Sequence, residues 1–287
     1  MSNSKRKLIR GEKHHWWPKS LSNFWANDAG LVYRVDADGH IIRSKPKEFC
    51  SISDGHNMLF SKKNSWESTI EDFFDKPDNS MASVVEYLVS LNEEKSLNIN
   101  QDESEQLNLC KECLLSLLVR SPKYRNAISA LIERLRGKLS KSEMKSLISS
   151  NINQKYKTLI NNSKNKGKLI VLTSEKDEFI YGDGLFSNLS INTQNFNNFY
   201  SLVPFTPFLS LAWVVARDYE PNSEVTIATL NSEQVQLIND TTQIYSKEYL
   251  LFRAQEPLLI EEFKAKEHYH YNSTRNPIAN LIDMLIQ

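Results

Sequence analysis

Asn161-Asn162-Ser163-Lys164-Asn165-Lys166-Gly167-Lys168-Leu169-Ile170-Val171-Leu172 is the stretch in which the hydrophobic period of this chain changes. Its first seven residues are a polar linker, and the run that follows has the length and the β-branched content of a strand. Upstream, apolar residues recur three and four apart. Downstream, short apolar runs are broken by glycine and proline.

Working backwards, Ser140 to Ile160 reads as a long polar helix, and Tyr124 to Leu135 carries Ile128, Leu131, Ile132 and Leu135 at helical spacing. Ser104 to Arg120 presents Leu107, Cys110, Leu114, Leu117 and Leu118 as one stripe. It ends at Ser121-Pro122, because the residue before a proline is pushed out of the helical region. Met81 to Ser90 is another helix, and Ser65 caps a further one through Glu67, Ile70, Glu71 and Phe74, which sets Glu67 and Glu71 on one face.

Working forwards, Glu178 to Tyr181 reads as a strand that leads into Gly182-Asp183-Gly184, a turn with a carboxylate at the strand end. Phe199 to Val203 and Phe208 to Val215 continue the strands on either side of Pro204-Phe205-Thr206-Pro207. Ser232 caps a helix through Val235, Ile238 and Tyr245, and the tail predicts helices over Pro257 to Lys266 and Pro277 to Ile286. Near the start, Pro18 opens a short helix with Leu21, Phe24 and Trp25. Leu31 to Val35 and His40 to Arg43 then form a hairpin across Asp36-Ala37-Asp38-Gly39.

The expected class is therefore α+β: a helical middle over about residues 65–160, a strand-rich section over about 168–228, and a mostly antiparallel sheet formed from N- and C-terminal segments. Residues 1–13 are expected to be a flexible basic arm ahead of a single α+β domain over 14–287.

Lys and Arg together number 35, as do Asp and Glu, so the net charge is zero and a uniformly basic nucleic-acid surface is excluded. Local excess remains. Lys5, Arg6, Lys7, Arg10, Lys13 and Lys19 face one acid, Glu12, and the spacing of Lys138, Lys141 and Lys145 puts them on one helix face. No apolar run approaches the roughly 18 residues of a membrane span, and the polar start has no apolar leader, so a cytoplasmic protein with no membrane partner is expected. Of the cysteines Cys50, Cys110 and Cys113, the last two form a Cys-x-x-Cys inside the Leu107 to Leu118 stripe. With no second ligand pair at finger spacing, they are read as helix packing. Glycine-rich phosphate loops, nucleotide fingerprints and a Gly-x-Ser-x-Gly elbow are missing from the sequence, which argues against a familiar ATPase, dehydrogenase or esterase.

The densest chemistry lies in His14-His15-Trp16-Trp17-Pro18-Lys19-Ser20-Leu21-Ser22-Asn23-Phe24-Trp25, which holds three of the five tryptophans and two of the six histidines. Indole and imidazole each combine an apolar body with a polar edge, so the cluster is expected to pack on the core and present ring nitrogens to a cleft. His268-Tyr269-His270 is a second pair, one that would point both rings to the same side of a strand.

In order along the chain, His15-Trp16-Trp17-Pro18 with Leu21 and Phe24, the hairpin, the Glu67 to Glu71 segment, Arg120-Ser121-Pro122-Lys123-Tyr124-Arg125, Phe179 to Gly184, Pro204 to Pro207 and Asn231 to Tyr245 resemble a bacterial family classified as a domain of unknown function. The resemblance covers roughly residues 14–255. Gly182-Asp183-Gly184 stands where that family usually has a Ser-Asp-Asn-Pro-like turn. Relatives occur among single-gene anti-phage defence candidates, so the resemblance implies a defence role with a phage protein as trigger, and it assigns no chemistry.

His14-His15-x-x-Pro18-Lys19-Ser20 also looks like the entry to a His-metal finger nuclease, but such a finger needs a strand before the histidines and another Asn or His soon after. A broader nuclease needs less. His15, with His14 beside it, serves as general acid or base, Arg120 or Lys19 stabilises the phosphate, and Glu71 or Asp183 orients the imidazole or holds Mg or Mn. Lys13, Lys19, Lys138, Lys141 and Lys145 would contact RNA or DNA. The alternative is a non-enzymatic module that recognises a phage protein or host complex through the Trp-rich surface and the Phe205 to Trp213 segment.

Overall fold

The computed structural model describes residues 12–59, 66–91, 101–193, 196–215, 224–267 and 277–286. The Asn161–Gly167 linker closes the helical middle against the first long strand. Gly167 adopts φ +68°, and a Cβ built there would lie 2.2 Å from the Val214 carbonyl oxygen. One residue earlier, the Lys166 carbonyl accepts the Trp213 indole N–H at 3.0 Å. The chain can turn this close to the sheet only because position 167 has no side chain.

Beyond the linker, β7 (Lys168–Thr173) lies between antiparallel β11 (Leu209–Val215) and parallel β12 (Val225–Thr229). β10 (Phe199–Thr206) and β9 (Phe186–Ser187) complete a five-stranded sheet in the order β12-β7-β11-β10-β9. All seven residues of β11 and five of the six in β7 are buried, as strands covered on both faces require. A second sheet joins the two ends of the chain. The hairpin β2 (Val32–Asp36) and β3 (Ile41–Ser44) pairs with β13 (Tyr249–Phe252), which pairs with β8 (Tyr181–Gly182), in the order β3-β2-β13-β8. The fold class is α+β, with N- and C-terminal strands sharing that sheet.

Two short ladders matter for the site. β1 (Lys13–His15) pairs with β4 (Ser51–Ser53) in the register Lys13 to Ser53, His14 to Ile52 and His15 to Ser51. β5 (Asn57–Met58) pairs with β6 (Ser68–Thr69).

The helices are α1 (Lys19–Ser22), α2 (Asp75–Ser90), α3 (Gln101–Arg120), α4 (Pro122–Arg136), α5 (Lys141–Ser163), α6 (Ser232–Tyr245), α7 (Glu261–Lys264) and α8 (Pro277–Ile286). Their ends follow local chemistry. Ser121 caps α4 by accepting the Tyr124 N–H, and capping boxes of Ser140 with Glu143 and Asn231 with Gln234 open α5 and α6. Cys110 and Cys113 are free thiols with 0% exposure on the inner face of α3, consistent with packing.

Several expectations are corrected. The helix expected from Ser65 is absent over its described part: Ser68 and Thr69 are a strand, Glu71–Phe73 a 3-10 turn, and the helix begins at Asp75. Thr69 Oγ1 bonds to the His56 carbonyl and the Glu71 N–H, diverting the backbone from helical bonding. Ile70 and Phe74 are still buried, so the apolar spacing was sound. Lys138 shares no helix with Lys141 and Lys145, because α4 ends at Gly137, φ +76°, and α5 starts only after its Ser140 cap. In the tail, Pro257 to Lys266 is helical only over Glu261–Lys264. Lys13 belongs to β1; the rest of the expected arm up to residue 11, Ser65, and the His268 to His270 pair lie outside the described residues.

The Trp-rich segment is interior. Trp16, Trp17 and Trp25 are at most 2% exposed, with ring centroids 6.2, 5.0 and 5.8 Å from that of Tyr181. Trp25 donates its indole N–H to the Phe205 carbonyl at 3.0 Å, while the buried Tyr181 hydroxyl has no hydrogen-bond partner among the described residues.

Gly167→Ala is expected to destabilise the protein by about 2 kcal/mol or more, since it combines a positive φ with a backbone clash. Tyr181→Phe removes an unpaired polar atom and keeps the ring, so stability should stay level or rise by up to about 1 kcal/mol. Urea denaturation of both variants measures this, and a large loss in Tyr181→Phe would contradict the burial described.

Candidate functional site

The β1–β4 ladder delivers His14 to the turn that follows β4. In that turn, Asp54 (φ 55°) accepts the Asn57 side-chain N–H at 3.1 Å, and Gly55 passes the chain to His56. The backbone N–H of His56 donates to His14 Nδ1 at 3.1 Å, and the two rings stack with centroids 5.0 Å apart and planes 26° apart. Glu71, first residue of the 3-10 turn, bonds through its carboxylate to His56 Nδ1. His14 and His56 are 3% and 2% exposed, and Glu71 forms the open edge at 37%.

These bonds assign the protons. His14 Nδ1 accepts, so a neutral His14 carries its proton on Nε2. His56 Nδ1 donates to the carboxylate, so its Nε2 holds a free lone pair. Burial pulls the His14 pKa down, with Glu71 opposing. Burial, then the cations of Arg125 and Arg120, hold His56 well below the ordinary histidine value. The result is a base nitrogen and a donor nitrogen on adjacent stacked rings, the base oriented by a carboxylate.

Two arginines support the pair. Arg125 Nη2 donates to the Gly55 carbonyl at 2.7 Å, and Ser149 Oγ reaches the same oxygen at 2.9 Å; Arg125 Nη1 is buried with no hydrogen-bond partner among the described residues. Arg120, fully buried, forks onto Asp78 at 2.9 and 2.5 Å, bonds to Ser116 with the rest, and lies over Phe74, its guanidinium carbon 4.3 Å from the ring centroid. Its donors are committed, so its place is behind the histidines, holding Phe74 and α2, and the expected contact with a phosphate has no free fork to make it.

The expected site residues thus separate. His14, Glu71 and Arg120 converge. His15 follows His14 on a strand and projects to the other side, half-buried. Asp183 lies apart at the end of β8, where its carboxylate accepts the N–H groups of Lys247 at 2.8 Å and Glu248 at 3.2 Å. Burial outweighs those bonds and pushes its pKa up to about 7. Lys13 is exposed opposite Ser53, and Lys145 Nζ donates to the Ser53 carbonyl at 2.6 Å, so two cations flank the turn that holds His56. Lys141 is exposed one turn earlier on α5, and Lys19 is exposed at the start of α1. Asp36, Asp38 and His40 lie close enough to share a cation, on the exposed hairpin turn, but Asp36 bonds to the turn's backbone and Asp38 to Lys266. That candidate cation site is empty.

Sequence reasoning missed His56, Asp78 and Arg125. The one local signal for His56 is a histidine directly after Asp54-Gly55, since Gly55 allows a tight turn. Its union with His14 depends on a strand register 42 positions apart, which no short pattern encodes.

A family model described as a protein of unknown function (DUF4238) matches residues 13–256. No curated protein and no solved structure matches.

Stability should respond to pH in two opposing ways. His14 and His56 have folded pKa values below the unfolded value of 6.5, so their contribution is full above that pH and is lost as pH falls below it. Asp183 is raised from 3.8 to about 7, so its contribution is full at low pH and is lost as pH rises through about 7. Asp183→Asn should therefore shrink any loss of unfolding free energy between pH 5 and pH 8 by at least about 1 kcal/mol relative to wild type. An identical pH dependence in both proteins would contradict this assignment.

Proposed function

The chain belongs to the family of unknown function whose model it matches, and we propose that it is a nucleic-acid-cleaving effector in which His56 and His14 act as the acid–base pair. The single observation behind this reading is the Glu71–His56–His14 chain, because it leaves one lone pair and one N–H on neighbouring imidazoles. His56 Nε2 takes the proton of the attacking hydroxyl or water, His14 Nε2–H protonates the departing oxygen, and Glu71 stabilises the imidazolium formed on His56. Lys13 and Lys145, on the two sides of Ser53, suit phosphates flanking the scissile bond.

Such a pair needs no metal to generate its base. Glu71 and Asp183, expected together as ligands for Mg or Mn, lie in separate parts of the fold, and the reading routes no step through an ion. The resemblance to anti-phage defence candidates suggests the setting: a defence effector that cuts RNA or DNA in an infected cell, released by a phage protein. A recognition module working through an aromatic surface has less support, since Trp16, Trp17, Trp25, Phe205 and Trp213 are all buried.

The test is cleavage of labelled RNA and DNA by the purified full chain, with and without Mg²⁺ or Mn²⁺. Wild type should cut, His56→Ala should lose about 10²–10⁴-fold, and Glu71→Gln should lose less. His15→Ala should cut like wild type. Wild type that never cuts either polymer, or full activity in folded His56→Ala, would overturn the reading.

A further inference from the structure

A second feature of the molecule lies away from the histidines and does not depend on them. Beside the start of α4 is a cavity of about 900 Å³, walled by Leu118, Leu131, Leu185, Leu189 and Ile191, with Glu248 on its polar side. Its size and lining are those of a small-molecule site. Lys123 opens onto it from the first turn of α4.

The amine of Lys123 is unusually placed. Nζ donates to the Leu185 carbonyl at 3.4 Å and sits 3.8 Å from the centroid of the Tyr245 ring, and no carboxylate pairs with it among the described residues. Three features act on its charge. The apolar walls desolvate an ammonium, the positive end of the α4 dipole repels one, and only the ring face and one long hydrogen bond favour it. Burial draws its pKa down to about 7. An ordinary lysine at pH 7 is almost wholly protonated, whereas a large share of Lys123 is free amine.

We infer that Lys123 is the nucleophile of a second site, one that captures a small aldehyde or ketone of apolar body as an imine. The amine lone pair adds to the carbonyl carbon while the C–O π pair becomes an alkoxide. A proton passes from nitrogen to that oxygen, giving a carbinolamine. Loss of water then leaves a C=N bond to Nζ, with no oxidant or reductant required. The apolar walls take the body of the carbonyl compound, and Tyr245 fixes the direction of approach.

Reductive trapping tests this. The full chain is treated at pH 7 with equimolar benzaldehyde and cyanoborohydride, and labelled peptides are mapped by mass spectrometry. Lys123 should be benzylated on the order of 10²-fold faster than the surface lysines, in line with its share of free amine. Lys123→Arg, with its fold checked by circular dichroism, should lose that adduct. Leu131→Trp narrows the cavity and leaves the amine in place, so it should slow trapping of benzaldehyde while leaving formaldehyde trapping unchanged. Labelling of Lys123 no faster than that of surface lysines would overturn the site. Equal rates for both aldehydes in Leu131→Trp would overturn the cavity as its recognition element.

Discussion

Tyr181 is boxed by three indoles that arrive from the N-terminal end of the chain, and this aromatic contact joins parts of the molecule that no hydrogen-bond ladder connects. Tyr181 belongs to the four-stranded sheet, and Trp25 reaches the five-stranded sheet by bonding to Phe205. Aromatic side chains each bury about 150–250 Å², so the box ranks among the larger single contributions to the core. It also fixes where β1 runs. His14 stands two residues before Trp16, so the imidazole's position follows from where the indoles pack.

That dependence explains what was legible in the sequence. The period change at the Asn161–Gly167 linker separated helices from strands, and α6 and α8 match their expected ranges, because capping residues and apolar spacing act locally. The tryptophans were expected to present ring edges to a cleft, yet all three are sealed inside; composition marks a cluster as important without saying which side faces water. His14, Glu71 and Arg120 were named and do meet. The residue that joins them, His56, was missed because it is placed by the β1–β4 register and by a 3-10 turn standing where a helix was expected.

The electrostatics of the histidine pair are set from behind. Two buried guanidiniums and two imidazoles share one region, and positive charge on either ring is discouraged by burial as well as by the arginines. Arg120 is tolerable in the interior because Asp78 engages it in a fork; Arg125 has a single carbonyl partner and a pKa lowered to about 10. Such an arrangement keeps both rings neutral near pH 7, with Glu71 as the group that relieves the strain when one of them takes up a proton.

β1 is only three residues long, and its ladder has a single partner strand. Two-stranded ribbons of that size are marginal by themselves, so His14 rides on an element able to detach while both larger sheets persist. Alignment of the two imidazoles is then an equilibrium separate from global folding. A ligand that grips Lys13 and Lys145 across Ser53 would clamp the ribbon shut, and anything that draws the N-terminal segment away would disarm the pair without melting the protein.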